Sequence, residues 1–365
     1  MGDLRGKILT VKGPIEPEKL GITLTHEHLF CDSSNRFEEP ASSKEKDLAY
    51  SPICLENMWW LKRHQSYNLD NLCLNNYEDA ISEVRRFKAK GGGTIVDVSS
   101  KGLSIDPLSV RRLSNEVGLN VVLGTGYYVS KTHPSNLAEK TVDSISKELK
   151  FDILKGLDGT DVRAGILGEI GVAGTHWEKE LVIHKDEEKV LRAAARAQID
   201  TGVAISVHPP RKKDESHPSS KWGLDILEIL REEGAFLNKV VICHMDGYAF
   251  TDLNLKYQVE IAKKGAYVEY DLWGQEHYVE RLPWYSAPSD TQRTEAVKKM
   301  VEAGCLKRLL FSQDIYTKMQ LTKYGGFGYD HLQRNCVPML LRFGLTDAHL
   351  QTIFIENPKR VLQIV

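Results

Sequence analysis

The chain has 365 residues, of which 41% are hydrophobic and 27% are charged, and its 48 basic and 50 acidic residues leave a net charge of −2. This composition excludes a disordered or a collagen-like chain. It also argues against general binding to nucleic acid or to an anionic membrane, because there is no basic excess to neutralise phosphates, and we therefore expect a small-molecule partner.

The location of the protein is predicted from its cysteines and from the lack of targeting signals. No apolar run approaches the ~18 residues that a membrane span requires, and the first residues lack the apolar stretch of a secretory signal. Six cysteines are scattered without a C-x-x-C pair, a pattern typical of reduced thiols. We therefore expect a cytoplasmic protein.

In chain order, the first 20 residues predict a small β-hairpin, and residues 21–29 predict the first buried strand. A long connection follows over residues 30–75. An active-site cap is one interpretation of a connection this long. We favour the plainer interpretation that Trp59 and Trp60 pack it onto the rest of the protein.

From the second strand onward one unit recurs, in which an amphipathic helix ends at a glycine and a short apolar strand follows. Residues 185–202 are typical: acidic residues begin the helix, Val190 and Leu191 belong to its apolar stripe, and Gly202 ends it. The seven further predicted strands are TIVDVSS (94–100), NVVLGTGYY (120–128), AGILGEIG (164–171), VAISVHPP (203–210), VVICHMD (240–246), AYVEYDLWG (266–274) and RLLFSQD (308–314).

The alternation of strands and helices indicates a parallel sheet, and eight apolar strands favour a closed (β/α)8 barrel over an open, doubly wound sheet. We therefore predict an α/β protein, a TIM barrel with an N-terminal β-hairpin and a long loop after the first barrel strand. No linker or low-complexity tract divides the sequence, so residues 1–365 are predicted to form a single domain.

Residues with metal-binding chemistry lie at the ends of five predicted strands. His26 and His28 alternate on the first strand, so both imidazoles face the same side. The fourth, fifth, sixth and eighth strands end in Glu169, His208, His244 and Asp314. Because the carboxyl ends of barrel strands share one rim, these six side chains are predicted to converge on a metal site rather than to act as separate polar residues.

Six ligands exceed the needs of one tetrahedral ion, so we predict two divalent ions bridged by Glu169 and a water. His26, His28 and Asp314 are assigned to one ion, and His208 and His244 to the other. Imidazole-rich ligation favours zinc. Asp314 is the predicted catalytic residue, which accepts a proton from the bridging hydroxide and passes it to the leaving group.

Neighbouring residues are predicted to support these ligands. Asp246 and Asp271 follow the sixth and seventh strands, where they can orient the histidines. Cys243 precedes His244, and strict strand alternation points its side chain into the helix layer.

The motifs at these strand ends resemble those of the amidohydrolase superfamily and, within it, the phosphotriesterase branch: THEHL (25–29), GEIG (168–171), VHP (207–209), CHMD (243–246) and SQD (312–314). Further motifs, among them VEYDLWG, DIYTK and ENPKRVL, are similar to the phosphotriesterase-related group, which implies a zinc-dependent amidase that splits N-acetyltaurine into acetate and taurine. The branch generally bridges its metals with a carboxylated lysine. Glu169 stands at that position here, which disfavours organophosphate hydrolysis.

The resemblance also implies that Tyr128 is a catalytic residue, which faces the bridging hydroxide and orients the substrate carbonyl, with core packing as the alternative interpretation. Arg211, just after His208, is a candidate for binding a substrate sulfonate or carboxylate, although such a mixed-charge run is commonly a solvated loop. Tyr316 and Lys318, which follow Asp314, are similar candidates.

We therefore predict a binuclear metal-dependent amidohydrolase that acts on N-acetyltaurine or on a related small N-acyl amino acid. One alternative is a lactonase or phosphotriesterase with the same metal site. Another is a catalytically inactive, metal-binding barrel, against which the presence of Asp314 argues. Relatives suggest a homodimer.

Overall fold

The computed structural model describes residues 4–173, 182–210, 219–248, 255–276 and 287–365. The strands in these ranges are β1 (Ile8–Thr10), β2 (Gly13–Ile15), β3 (Ile22–Glu27), β4 (Cys31–Asp32), β5 (Cys73–Leu74), β6 (Gly92–Asp97), β7 (Asn120–Thr125), β8 (Ile166–Gly171), β9 (Ala204–His208), β10 (Val240–Ile242), β11 (Tyr267–Tyr270) and β12 (Leu309–Phe311). The α-helices are α1 (Ser43–Tyr50), α2 (Met58–Leu61), α3 (Tyr77–Ala89), α4 (Pro107–Val117), α5 (Val142–Leu154), α6 (Lys185–Thr201), α7 (Trp222–Glu232), α8 (Lys256–Lys263), α9 (Asp290–Glu302), α10 (Val337–Arg342), α11 (Asp347–Gln351) and α12 (Asn357–Leu362).

Eight of these strands form one sheet, with the order β12-β11-β10-β9-β8-β7-β6-β3 and parallel pairing throughout. The two ends of the sheet meet, because the backbone N–H of Asp314, after β12, donates to the carbonyl oxygen of His26 at 3.2 Å. The hydroxyl of Thr25 donates to the carbonyl oxygen of Phe311 at 3.3 Å. The predicted (β/α)8 barrel is confirmed.

The barrel interior is filled by alternate residues of the strands. Val96, Val122 and Ile166 belong to one buried apolar cluster inside the barrel. Their neighbours Ile95 and Val121 belong to a second, larger cluster between the strands and the helices. This division follows from the alternation of side chains along a strand, which places successive residues on opposite faces.

The predicted N-terminal hairpin is confirmed, with β1 and β2 paired antiparallel. Ile8 is fully buried in the interior cluster of the barrel. The backbone N–H of Val11 donates to the carbonyl oxygen of Val121, on β7, at 2.9 Å. The hairpin therefore extends the barrel core.

Helix α6 shows how closely the repeating unit was predicted. It runs from Lys185 to Thr201, and Gly202 follows it with a φ of 73°. This left-handed conformation is costly for a residue with a Cβ atom, which is why glycine ends the helix. Among the helices of the described ranges, none combines the length and the apolarity needed to cross a membrane.

The long connection after β3 is closed at its base by the antiparallel pair β4 and β5. Trp60 is 2% exposed and packs against Ala49 and Leu61, whereas Trp59 is 70% exposed. The predicted packing is therefore confirmed for Trp60 and wrong for Trp59. The reason is helical geometry, since adjacent residues of α2 face different directions.

Candidate metal centre

The structure brings together the six side chains predicted to bind metal, at the carboxyl ends of the barrel strands. They come from β3, β8 and β9 and from the residues that follow β3, β10 and β12, and they are His26, His28, Glu169, His208, His244 and Asp314. All six are buried. The closed barrel thus places residues that are distant in sequence around one point.

Glu169 lies at the centre of this group. Its Oε1 atom is 2.8 Å from His208 Nδ1 and 3.0 Å from His244 Nε2. His26 Nε2 is 3.6 Å from the same oxygen. On the other side, Asp314 Oδ1 is 3.6 Å from His26 Nε2. His26 therefore lies between the two carboxylates.

The ring of His26 provides the test of whether these residues fit a metal ion. Both of its nitrogens are buried, and neither has a hydrogen-bond partner of good geometry. A buried polar atom without a hydrogen-bond partner costs about 1–3 kcal/mol of stability, so such atoms are rare in folded proteins. Coordination of a cation by His26 Nε2, beside Glu169 and Asp314, would satisfy it. Imidazole nitrogens with carboxylate oxygens are zinc ligands, so the residues fit the metal.

Two of the histidines are oriented by hydrogen bonds at the ring nitrogen that faces away from the group. His244 Nδ1 is 2.9 Å from Asp271 Oδ1, and the backbone N–H of His244 donates to the same carboxylate. His28 Nδ1 is 2.9 Å from the hydroxyl of Ser99. Both contacts direct Nε2 toward the other ligands. The prediction that Asp271 orients a histidine is confirmed.

Asp246 supports the residue that orients His244 and does not contact a histidine of the group through a hydrogen bond in the described residues. Its carboxylate accepts hydrogen bonds from the backbone N–H groups of Asp271 and Leu272, at 3.2 and 2.9 Å. It also accepts one from Arg293 Nε at 2.8 Å. The prediction for Asp246 is therefore confirmed only indirectly, because it fixes the backbone that carries Asp271.

Burial and hydrogen bonding set the protonation states in the group. Burial lowers the pKa of His208 to about 4. Although burial opposes the ionisation of Asp314, hydrogen bonding from His28 and the charge of His244 lower its pKa to about 2. At neutral pH, His208 is then uncharged and Asp314 is ionised, which are the states that metal ligands require. Although burial opposes it, the charge of Asp271 raises the pKa of His244 to about 9, so a bound cation would have to displace a proton from His244.

The backbone is left-handed at two of the six residues, with φ of 57° at His244 and 47° at Asp314. Such values are uncommon outside glycine and concentrate at functional sites. Cys243 packs inside the barrel with Val241, because strand alternation places residues two positions apart on the same face, and the turn brings His244 to that side as well. The prediction that Cys243 points into the helix layer is therefore wrong.

Sequence analysis missed Glu269, which lies on β11 beneath the group. Its carboxylate is fully buried, both oxygens lack a hydrogen-bond partner, and Oε2 is 3.4 Å from His26 Nδ1. Because Glu269 and Asp271 are two positions apart along the chain, strand alternation could have identified it.

A small cavity lies directly over the group, and Tyr128, Tyr316 and Arg36 contribute to its lining. The Tyr128 ring packs edge-on against the His208 ring, with 5.3 Å between centroids. Its hydroxyl accepts a hydrogen bond from Arg36 Nη2 at 2.5 Å.

Of the other two predicted substrate-binding residues, Lys318 does not line this cavity. Lys318 Nζ forms an ion pair with Asp70 at 2.6 Å and lines a neighbouring depression instead. Arg211 lies outside the described residues. Sequence analysis missed Arg36, because it lies in the long connection, where no periodic pattern identifies the residues that face the barrel.

Known proteins are similar to this chain along almost its whole length. A family model described as the phosphotriesterase family matches residues 6–362. A Homo sapiens protein named N-acetyltaurine hydrolase is 40% identical over 365 residues, covering 99% of each chain. A Dictyostelium discoideum protein of the same name is 37% identical over 383 residues, covering 99% of this chain and 98% of the relative. A resiniferatoxin-binding protein from Rhodobacter sphaeroides has a TM-score of 0.91 at 37% identity, covering 99% of this chain and 96% of that chain.

Proposed function

Because the chain belongs to the phosphotriesterase family, we propose that it is a metal-dependent amidohydrolase that cleaves N-acetyltaurine, or a related small N-acyl amino acid, to acetate and taurine. The observation that carries this proposal is the convergence of four histidines with Glu169 and Asp314 at the mouth of the barrel. The names of the human and Dictyostelium relatives support an amide substrate.

The proposed cofactor is a pair of divalent cations, with zinc as the resident metal. His26, His28 and Asp314 would hold one cation, and His208 and His244 the other. Glu169 would contact both, which its short distances to His208 and His26 support. When bound, the cations supply Lewis-acid activation of the amide carbonyl and of the attacking water.

Asp314 is proposed to move the proton that the reaction requires. Its carboxylate is ionised and lines the cavity, so it can accept a proton from the attacking water. The amide nitrogen must gain a proton before the C–N bond breaks and the amine leaves. Protonated Asp314 then delivers that proton to the nitrogen, and the carboxylate is restored as acetate and the amine depart.

Tyr128 is proposed to hold the substrate carbonyl. Its hydroxyl oxygen accepts a hydrogen bond from Arg36, so its own hydrogen can be donated to the carbonyl oxygen as negative charge develops there. The edge-on contact with His208 fixes the ring beside the metal ligands.

We also propose that residues 1–365 form a single catalytic domain and that the protein is cytoplasmic. One eight-stranded sheet that takes its strands from Ile22 to Phe311 supports a single domain. All six cysteines are unpaired, which supports a reducing compartment. The homodimer stays a prediction.

The test compares hydrolysis of N-acetyltaurine, an acyl lactone and an organophosphate by purified protein whose zinc content is measured. We expect N-acetyltaurine to be the best substrate. With saturating zinc, Asp314→Asn should lower amide turnover by about 10²- to 10⁴-fold, whereas Asp347→Asn, an exposed control, should not change it. A lactone or phosphate ester hydrolysed faster than the amide would overturn the proposed substrate. Undiminished turnover by Asp314→Asn would overturn its role in proton transfer.

A further inference from the structure

Arg36 is the only arginine that lines the cavity over the metal ligands, among the residues that the structure describes. It belongs to the long connection after β3, in a short turn over residues Ser34–Arg36. From there its side chain reaches the cavity that Glu169, His208 and Asp314 also line. The connection therefore supplies a cation to a site whose metal ligands come from the barrel strands and the residues that follow them.

The guanidinium of Arg36 is held by aromatic side chains rather than by a carboxylate. Its Nη2 atom donates to Tyr128 Oη at 2.5 Å, and its central carbon lies 4.7 Å from the centroid of the Tyr316 ring. Within the described ranges no carboxylate is close enough to form an ion pair with it. An arginine has five N–H donors, so most of its donor capacity is not used by the protein.

The other deeply placed arginine of this half of the barrel provides a contrast. Arg293 is fully buried, and its donors are used by Asp246, Asp290 and two backbone carbonyl groups. Lys318, a cation near the cavity, is likewise paired with Asp70. Both of these cations pair with a carboxylate, whereas Arg36 has none within ion-pair distance among the described residues.

The position of Arg36 also matches the size of a small acylated amine. One tyrosine separates it from the metal ligands, because the ring of Tyr128 contacts His208 while the hydroxyl of Tyr128 contacts Arg36. An amide whose carbonyl lies at the metal ligands would extend its amine side over that tyrosine. A planar guanidinium between two aromatic rings is well suited to bind an oxyanion through two parallel hydrogen bonds.

We propose that Arg36 binds the sulfonate or carboxylate at the amine end of the substrate and thereby selects anionic N-acyl amines over neutral ones. This inference rests on the proposed function for the position of the amide, and it adds the residue that determines specificity. It also assigns a function to the long connection, which would complete the substrate site.

The kinetic test uses three amides that differ only at the end of the amine: N-acetyltaurine, N-acetyl-β-alanine and the neutral N-propylacetamide. Arg36→Met should raise KM for the two anionic amides by about 10- to 100-fold, because a charge-assisted hydrogen bond is lost. KM for N-propylacetamide should not change, and any loss of kcat that follows from the lost hydrogen bond to Tyr128 should be the same for all three amides. The ratio between the two anionic amides in the wild type distinguishes sulfonate from carboxylate as the preferred group.

Two further variants separate binding from support of the fold. Arg36→Lys keeps the positive charge without the planar guanidinium, so its KM for the anionic amides should lie between the values of wild type and Arg36→Met. Arg85→Met, on the exposed surface of α3, should have the same KM as wild type. If Arg36→Met lowers kcat for all three amides by the same factor and leaves KM for the anionic amides unchanged, Arg36 acts only by holding Tyr128, and the proposal is overturned.

A binding measurement distinguishes the failure of this proposal from that of the proposed function. Calorimetric titration with 1-propanesulfonate, which has no amide, should show binding to wild type and a loss of at least about tenfold in affinity for Arg36→Met. Absence of amide hydrolysis together with this result would overturn the proposed function but support the anion site. Equal affinities of the two proteins for 1-propanesulfonate would overturn the anion site, whatever the amides show.

Discussion

Glu27 accepts a hydrogen bond from the backbone N–H of Ile315, with 2.9 Å between Oε2 and the nitrogen. Its other oxygen accepts from the backbone N–H of Gln313 at 2.8 Å. Glu27 lies between two histidines of the metal group, and strand alternation directs it to the opposite side, toward the turn that carries Asp314. The strand β3 and the residue after it thus supply two ligands, and Glu27 between them fixes the backbone of a third.

Replacing Glu27 with glutamine should weaken metal binding without removing a ligand. The amide nitrogen of glutamine cannot accept the hydrogen bond that one carboxylate oxygen accepts, so the turn around Asp314 loses part of its anchor. We expect Glu27→Gln to lower zinc affinity by about 10- to 100-fold, the range found for supporting residues of metal sites. Competition with a chelator measures the affinity, and Glu18→Gln, on the surface, is the control. Zinc affinity equal to that of wild type would show that Glu27 serves the fold alone.

The parts of the structure that could be predicted from sequence are those that depend on local periodicity. The helix and strand repeat identified the barrel, and the position of polar residues at strand ends brought His26, Glu169 and Asp314 to one rim. Both signals depend on a fixed geometry of the elements, which every residue of a strand or helix shares.

The parts that could not be predicted lie where this regular geometry ends. A left-handed turn at His244 brings its imidazole to the same side of the strand as Cys243, and nothing in the local sequence indicates a positive φ at a histidine. Arg36 reaches the cavity through the tertiary packing of a non-periodic connection. Trp59 and Trp60 have the same chemistry, and only the rotation of a one-turn helix decides which of them is buried.

Removal of Arg293 should destabilise the protein far more than removal of an exposed arginine. Its guanidinium pairs with Asp246 at 2.8 Å and with Asp290 at 3.0 Å, and its side chain is 0% exposed. Arg293→Met leaves two buried carboxylates without a cation, which we expect to lower the free energy of unfolding by about 3–5 kcal/mol. Arg231, which pairs with Glu228 on the surface, is the matched control, and Arg231→Met should have no measurable effect in urea unfolding. Similar losses in both variants would contradict this explanation.

Because of Lys239, the free energy of unfolding should vary with pH in the alkaline range. Its ammonium group donates to the carbonyl oxygens of Arg360 and Val361, in α12, and burial lowers its pKa from 10.5 to about 8. Between these two values the unfolded chain binds more protons than the folded one, so the stability of the folded protein rises with pH. Below about pH 8 the full cost of burying the charge is present.

The comparison is with Lys239→Met, which fills the same space and does not titrate. The free energy of unfolding of wild type, measured in urea relative to this variant, should increase as the pH rises from 8 to 10.5. A difference that is constant over this range would show that the folded and unfolded states bind the Lys239 proton equally.

Two glycines with the same backbone conformation should respond differently to alanine. Gly118 and Gly202 follow α4 and α6 with φ of 66° and 73°. A Cβ atom at Gly118 would meet nothing within 4 Å, whereas at Gly202 it would lie 2.4 Å from the carbonyl oxygen of Val365. Gly118→Ala should therefore lower the free energy of unfolding by about 1–2 kcal/mol, the cost of the left-handed conformation alone.

Gly202→Ala should lower the free energy of unfolding further, because the end of the chain must also move away from the new methyl group. Removal of Val365 from both alanine variants separates the two contributions in urea unfolding. Without Val365 the extra cost at Gly202 should decrease, since the 2.4 Å contact with its carbonyl oxygen is gone, while the cost at Gly118 should not change. If the difference between the two glycines is as large after the truncation as before it, the contact with Val365 is not the reason that Gly202 tolerates a side chain less well.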